Sequence, residues 1–276
     1  MAVLSFIDIM KKTTVTNYVI DILKEGAGSG KAKAVFLSDL HNSVWNNDRE
    51  YLPRLIKQLS PDIILCGGDI ITAQPSQSTD YALWFMREML KIAPVYYGLG
   101  NHEFRSRLYP ETYGTMYEDY MPPLIKEGVH LLDNEKADIS VNGINMTVYG
   151  LEIPRKNYMR FRKEPFTAEM MRSLIGSPDR KRAAVLLAHN PLYYRTYLEW
   201  GADLTFCGHY HGGIIGLGKT RGMITPDLNF FSENCRGRFE KDGSSLIISA
   251  GMGEHTVPFR INNPRELVTL DLRVNL

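Results

Sequence analysis

The sequence predicts an α/β protein in which two sheets pack face to face and helices cover their outer sides, four layers in the order α/β/β/α. Three observations carry that expectation. Over the first third, short apolar runs alternate with amphipathic stretches, the mark of a layered domain with a parallel sheet. Three short strand-like runs then follow one another with no helix between them, which requires a second sheet. Five apolar runs, moreover, stop at Asp, His or Asn, so the ends of separate strands carry the polar residues.

Taken in order, Thr14–Leu23 is rich in β-branched residues and reads as a strand, and Glu25–Gly30 as a glycine-punctuated turn. The strand Val35–Leu37 runs into Ser38-Asp39-Leu40-His41. Arg49–Leu59 places Tyr51, Leu52, Leu55, Ile56 and Leu59 at helical spacing before Pro61 stops it. Ile63–Cys66 runs into Gly67-Gly68-Asp69. A second amphipathic helix, Tyr81–Ile92, turns Trp84, Phe85 and Leu90 inward, and the strand Val95–Gly98 leads into Leu99-Gly100-Asn101-His102-Glu103. Arg105–Met121 is rich in Tyr and Arg without a clear element. Met121–Gly128 reads as a short helix opened by Pro122-Pro123.

Val129–Leu132, Ala137–Val141 and Ile144–Leu151 are then expected as strands of the second sheet. Asp133-Asn134-Glu135 would turn the first hairpin and Asn142-Gly143, a type I′ signal, the second. Phe166–Ile175 is a helix, and the strand Ala183–Leu187 leads into Ala188-His189-Asn190-Pro191. Leu204–Phe206 leads into Gly208-His209-Tyr210-His211. Gly212–Gly218 is a glycine-rich loop, Met223–Arg238 shows no period, and Ser245–Ser249 and Leu267–Leu272 close the fold. No repeat or linker divides the chain, so one domain over residues 1–276 is expected.

Composition excludes some functions. With a formal net charge of +1 over 276 residues and no Lys/Arg stripe, the chain offers no footprint for a long nucleic acid. No window approaches the ~20 apolar residues of a membrane span. Met1–Met10 is apolar, but Lys11-Lys12 follow it, the reverse of a signal peptide; a peripheral membrane contact through that segment is compatible with its pattern. The three cysteines give no paired framework and read as small buried thiols in a reducing compartment. The expectation is a cytoplasmic protein, with peripheral membrane association open to it.

Five of the seven histidines (His41, His102, His189, His209 and His211) lie in the strand-end motifs. Separate strand ends each offering nitrogen or oxygen are hard to explain by packing, because a buried polar group costs free energy unless paired. Strand C-terminal ends are also where α/β sheets bind ligands. Imidazole, carboxylate and amide oxygen suit Mn²⁺, Fe or Zn²⁺, and the lack of Cys in the motifs argues against a thiolate zinc site.

Asp39-x-His41, Gly68-Asp69, Gly100-Asn101-His102-Glu103, His189 and Gly208-His209-x-His211 resemble, in order and spacing, the calcineurin-like metallophosphoesterase superfamily. Gly212-Gly213 and the run Gly251–Pro264 further resemble a bacterial, often membrane-associated branch related to UDP-2,3-diacylglucosamine hydrolases. The resemblance implies the metallo-dependent phosphatase fold and two divalent metal ions (Mn, Fe or Zn, with Mn serving in assay). Asp39, His41, Asp69 and His211 would hold the first ion; Asp69, Asn101, His189 and His209 would hold the second, with Asp69 bridging. A hydroxide shared by the metals would attack phosphorus in a small phosphodiester, pyrophosphate or phosphomonoester, lipid- or nucleotide-linked substrates included. His102 would be no ligand but the catalytic group that protonates the leaving oxygen, with Glu103 or Asp39 orienting it. Thr72 stands where a purple-acid-phosphatase-like iron site has Tyr, which sets that branch aside.

Asn42 and Arg105 neighbour the motifs and are candidate phosphate-binding residues, Arg for its forked donors. His255, in Gly253-Glu254-His255-Thr256, is a third candidate for substrate, against an ordinary surface turn. Arg155–Phe161 interleaves basic and aromatic residues that would suit a cover over the site. Two other functional readings remain at this stage: a catalytically silent scaffold of the same fold, and a nuclease of that fold.

Overall fold

The computed structural model describes residues 13–158, 164–225, 230–254 and 260–275. In the first half, β1 (Thr13–Ile22), β2 (Gly30–Leu37), β3 (Ile63–Cys66), β4 (Val95–Gly98) and β5 (His130–Leu132) precede the hairpin of β6 (Lys136–Val141) and β7 (Ile144–Leu151). The second half adds β8 (Ala183–Ala188), β9 (Leu204–Cys207), β10 (Gly216–Leu217), β11 (Arg221–Ile224), β12 (Phe230–Ser232), β13 (Gly237–Lys241), β14 (Ser244–Ile248) and β15 (Arg265–Val274). Helices α1 (Tyr51–Leu59), α2 (Asp80–Leu90), α3 (Asn101–Leu108), α4 (Pro110–Tyr113), α5 (Met116–Glu127), α6 (Ala168–Ile175) and α7 (Tyr194–Trp200) intervene.

Two six-stranded sheets result, ordered β1-β15-β2-β3-β4-β5 and β13-β14-β9-β8-β7-β6, with β10-β11-β12 as a small third. The strands β2 to β5 are mutually parallel, as are β7, β8, β9 and β14. Period-two alternation sorts their side chains into layers. Val35, Leu37, Ile64, Cys66, Val95 and Tyr97 face outward against α1, α2 and α5. Ala34, Phe36, Ile63, Leu65 and Tyr96 face inward, meeting Ile144, Met146, Val148, Val185, Leu187 and Phe206 of the other sheet; the Phe36 and Phe206 rings stack at 4.7 Å. Leu186 and Ala188 pack outward against α6 and α7. This is the expected α/β/β/α order, and all five polar-tipped strands end on one edge of the sandwich.

Four expectations need correcting. Val129–Leu132 belongs to the first sheet, beside β4, so Asp133-Asn134-Glu135 crosses between sheets instead of turning a hairpin. A three-residue strand has no pattern that could reveal its partner. Pro122 and Pro123 lie inside α5, not at its start; burial of Met116, Tyr120, Met121 and Leu124 holds the helix despite the missing donors. Arg105–Met121, left without an element, is largely helical, and Met223–Arg238 contains strands too short to show a period. The Asn142-Gly143 turn is as expected, with φ of 48° and 83°, both positive as type I′ requires.

Candidate metal centre

Each motif sits just past a strand end, where the backbone turns sharply. Asp39, His41, Asp69, His209 and His211 all have φ between 49° and 66°. That left-handed region costs an L-residue about 1–2 kcal/mol, and it folds the chain back so that neighbouring side chains converge. The loops after β2 and β3 extend the ladder: the Asp39, His41 and Asn42 amides donate to the carbonyls of Gly68, Asp69 and Ile70. Glycine is required where backbone abuts carboxylate. A Cβ on Gly208 would overlap Ser38 Oγ and the Asp39 carboxylate, and one on Gly68 would overlap the Gly100 backbone.

The structure brings the predicted ligands together. Asp39, His41 and His211 form one group; Asp69, His189 and His209 form another; His41, Asp69 and His102 form a third. Within each group the possible ligand atoms lie within 4.8 Å of one another, and all these residues are buried. His189 Nε2 is 3.0 Å from Asp69 Oδ2, and His211 Nε2 is 3.4 Å from Asp39 Oδ1. His41 Nε2 and His211 Nε2 face each other at 3.1 Å. Asn101, the predicted amide ligand, opens α3, and its Oδ1 is buried without a hydrogen-bond partner among the described residues.

The outer contacts decide what each ring can do. His189 Nδ1 lies 2.8 Å from the Gly67 carbonyl, which can only accept, so that nitrogen carries the hydrogen. A neutral His189 therefore turns an Nε2 lone pair toward the Asp69 carboxylate, an arrangement that needs a cation between them. Without one, a proton serves. Burial opposes charge on His189, but Asp69 and Asp39 outweigh it and raise its pKa to about 10. For Asp69, burial is likewise outweighed, by His189 and His102, and the carboxyl is held well below its usual range. Burial dominates at Asp39 and pushes its carboxyl up. The donor set and its charge balance fit divalent cations.

His102 is different. Its Nδ1 accepts the Ala73 amide at 2.7 Å and lies 3.0 Å from Arg105 Nη2. Both partners are donors, so the neutral ring keeps its hydrogen on Nε2, which points into the site 3.9 Å from Asp69 Oδ2. A protonated Nε2 can donate a hydrogen bond and has no lone pair to offer a metal. At His211, by contrast, the Arg260 guanidinium 3.2 Å from Nδ1 is shared with the carbonyls of Ala250, Gly251 and Gly253, so it does not set the tautomer.

Glu103 does not orient His102 as expected. Its fully buried carboxylate accepts the amides of Asp69 (2.8 Å), Ile70 (2.9 Å) and Gly100 (3.1 Å) and the Tyr97 hydroxyl (2.8 Å), which fixes the Asp69 turn. Asp39, the other suggested partner, instead accepts the Ser38 hydroxyl and the His209 amide. Arg105 lies against His102, and both polar atoms of the Asn42 side chain are buried without a partner among the described residues. His255 lies outside the described residues, as do Met159 to Phe161 of the basic–aromatic segment. Of that segment's described part, Arg155 covers the Tyr109 ring at 4.9 Å, and Tyr158 packs edge-on to His209 at 6.2 Å.

Sequence reasoning missed several supports. Thr72 Oγ1 lies 3.3 Å from His41 Nδ1. Asn263 Nδ2 donates to the His211 carbonyl at 2.6 Å, and Arg260 reaches the same carbonyl at 3.4 Å. Both residues belong to the Gly251–Pro264 run, noted for resemblance without a physical role. Glu152, just past β7, carried the same strand-then-acid signal as Asp39 and Asp69.

The profile of the calcineurin-like phosphoesterase family matches residues 32–213, about two thirds of the chain and every strand-end motif. The chain belongs to that family. It is 27% identical over 263 residues to an uncharacterized metallophosphoesterase of Aquifex aeolicus, covering 94% of this chain and 91% of that one. It is 24% identical to the uncharacterized protein YpbG of Bacillus subtilis, covering 85% and 79%. A transmembrane protein with a metallophosphoesterase domain from Danio rerio is 21% identical over 281 residues, and the match takes in 60% of its length. Among solved structures, the phosphopantetheinyl hydrolase of Mycobacterium tuberculosis aligns over 81% of this chain and 89% of its own, at 16% identity and a TM-score of 0.46. Like its family, this member is a metal-dependent phosphoesterase, a hydrolase. Among its described residues no helix is long and apolar enough to cross a membrane.

Proposed function

We propose that this phosphoesterase works with two divalent cations on a small phosphodiester, pyrophosphate or phosphomonoester, as one domain spanning the chain. The observation that carries the reading is the convergence on Asp69: His189 at 3.0 Å, and His41 and His102 each at 3.9 Å, all meet its Oδ2. Asp39, His41, Asp69 and His211 would hold one ion, and Asp69, Asn101, His189 and His209 the other, with Asp69 between them. Such a pair polarises phosphoryl oxygens and lowers the pKa of an attacking water.

The chain's own residues do the rest. Glu103 holds the Asp69 turn, Gly67 the ring of His189, and Ser38 and the His209 amide the Asp39 carboxylate. Asn42 and Arg105 would bring unpaired donors to the phosphoryl oxygens; among the described residues, both Asn42 side-chain atoms and Arg105 Nε are buried without partners. His102 serves the departing oxygen. Ala73 fixes its tautomer, so Nε2–H donates a hydrogen bond there and stabilises the charge that develops, while the ring keeps its hydrogen. Two carboxylates against four positive charges leave about +2 in the pocket, which draws the phosphate anion in.

The test is recovery of activity. Chelator-stripped protein should hydrolyse bis-p-nitrophenyl phosphate or p-nitrophenyl phosphate only after Mn²⁺ is restored, and Asp69→Ala should lose both metal and turnover. Chelator-insensitive hydrolysis, or a fully active Asp69→Ala, rejects the reading.

A further inference from the structure

Among the described residues, buried polar atoms without hydrogen-bond partners occur at and beside the strand-end motifs: Asn42, Asn101, Arg105 and Glu152 all contribute. Asn101 faces a proposed ion, and Asn42 and Arg105 the phosphate. Glu152 has no such assignment. It is 4% exposed, and neither carboxylate oxygen has a partner among the described residues. A buried carboxyl left so costs free energy unless a group from outside completes it.

Its position in the sheet says where that group comes from. β7 and β8 are parallel, and their last pair is Leu151 with Ala188. The next residues, Glu152 and His189, therefore stand side by side at the strand tips. Leu151 and Ala188 both pack outward with α6 and α7, so alternation turns Glu152 and His189 to the inner face. Glu152 thus extends the row of strand-tip side chains by one strand beyond the metal ligands. Beside it stands Tyr158, whose hydroxyl approaches the carboxyl without meeting full hydrogen-bond geometry, and the Phe104 ring stacks on Tyr158 at 6.4 Å. The Arg107–Asp133 ion pair lies beyond.

We propose that Glu152 is the acceptor of a specificity subsite that takes the hydroxyl or amide hydrogen of a substituent on the scissile phosphate, with Phe104 and Tyr158 as its walls. The subsite favours a phosphodiester whose substituent carries a hydrogen-bond donor. This rests on the phosphoesterase reading above and narrows its substrate class.

The experiment compares two esters that differ by one hydroxyl: propyl p-nitrophenyl phosphate and its 3-hydroxypropyl counterpart, both assayed with Mn²⁺. The wild type should favour the hydroxypropyl ester in kcat/KM by about ten- to a hundredfold. In Glu152→Leu the preference should fall to about one with metal content unchanged, while Glu152→Gln, which retains an acceptor oxygen, should keep part of it. No preference in the wild type overturns the proposal without any variant, so a poorly folding Leu variant does not protect it. A wild-type preference that survives in Glu152→Leu overturns it as well. Loss of metal from Glu152→Leu would make Glu152 a support for His189 and likewise end the proposal. Folded wild type that hydrolyses neither ester with Mn²⁺ would instead bring down the phosphoesterase reading itself, and the subsite with it.

Discussion

Replacing Glu103 by Gln tests how the Asp69 turn is held. Glu103 Oε2 accepts the Asp69 and Gly100 amides, and Oε1 accepts the Ile70 amide and the Tyr97 hydroxyl. Gln has one acceptor oxygen, so its NH₂ must face donors on one side. The cheaper orientation puts it on the Ile70 side, where the Tyr97 hydroxyl, 3.2 Å from the Tyr120 hydroxyl, can turn to accept from it. The Ile70 amide is then stranded, and the bonds at the other oxygen lose their charge. A stranded buried donor costs about 1–3 kcal/mol and the lost charge assistance adds to it, so roughly 2–4 kcal/mol is expected from a total near 5–15. Asp69, held at φ 55°, also loses the restraint that keeps its carboxylate between the histidines. Urea unfolding of metal-free wild type and variant should show the lower midpoint at unchanged slope, and metal analysis of both should show reduced occupancy in the variant. A variant within about 0.5 kcal/mol of wild type that binds metal fully would refute the assignment, since that is the ordinary range for an inconsequential change.

Further outcomes follow from the same contacts. His102→Ala should keep its metal while turnover falls by roughly 10²–10⁴; an empty site by metal analysis would make His102 a ligand. Asn263→Ala frees the His211 carbonyl and should weaken metal binding by about 10–100-fold, read by competition with a fluorescent chelator. Without metal, the His189 pKa is raised to about 10, so the ring is protonated at pH 8 and its pairing with Asp69 stabilises the metal-free fold. That contribution is complete below the unfolded value near 6.5 and is lost as pH rises through about 10. Metal must displace this proton, so calorimetry in buffers of different ionisation enthalpy should show proton release, and affinity should rise with pH across that window. Burial pushes the thiols of Cys66, Cys207 and Cys235 upward, and only thiolate reacts. Native protein at pH 8 should resist a thiol reagent that labels all three after denaturation.

The sequence by itself determined where the strand-end polar residues lie along the chain. The apolar runs ending at Asp39, Asp69, Asn101, His189 and His209 were legible because a buried strand and the turn that stops it are local patterns, written in consecutive residues. The α/β/β/α layering followed from the same periodicities. Only the tertiary structure decided which groups share which partner: that Glu103 serves the Asp69 turn and not His102, that Ala73 fixes the His102 hydrogen, that β5 joins the first sheet, and that Arg260 and Asn263, some fifty residues on, hold His211. Glu152 shows the division most clearly. Its place after a strand was visible from the start, but its neighbour His189 depends on the register of β7 against β8, which is set by how two sheets pack and by nothing in the adjacent sequence.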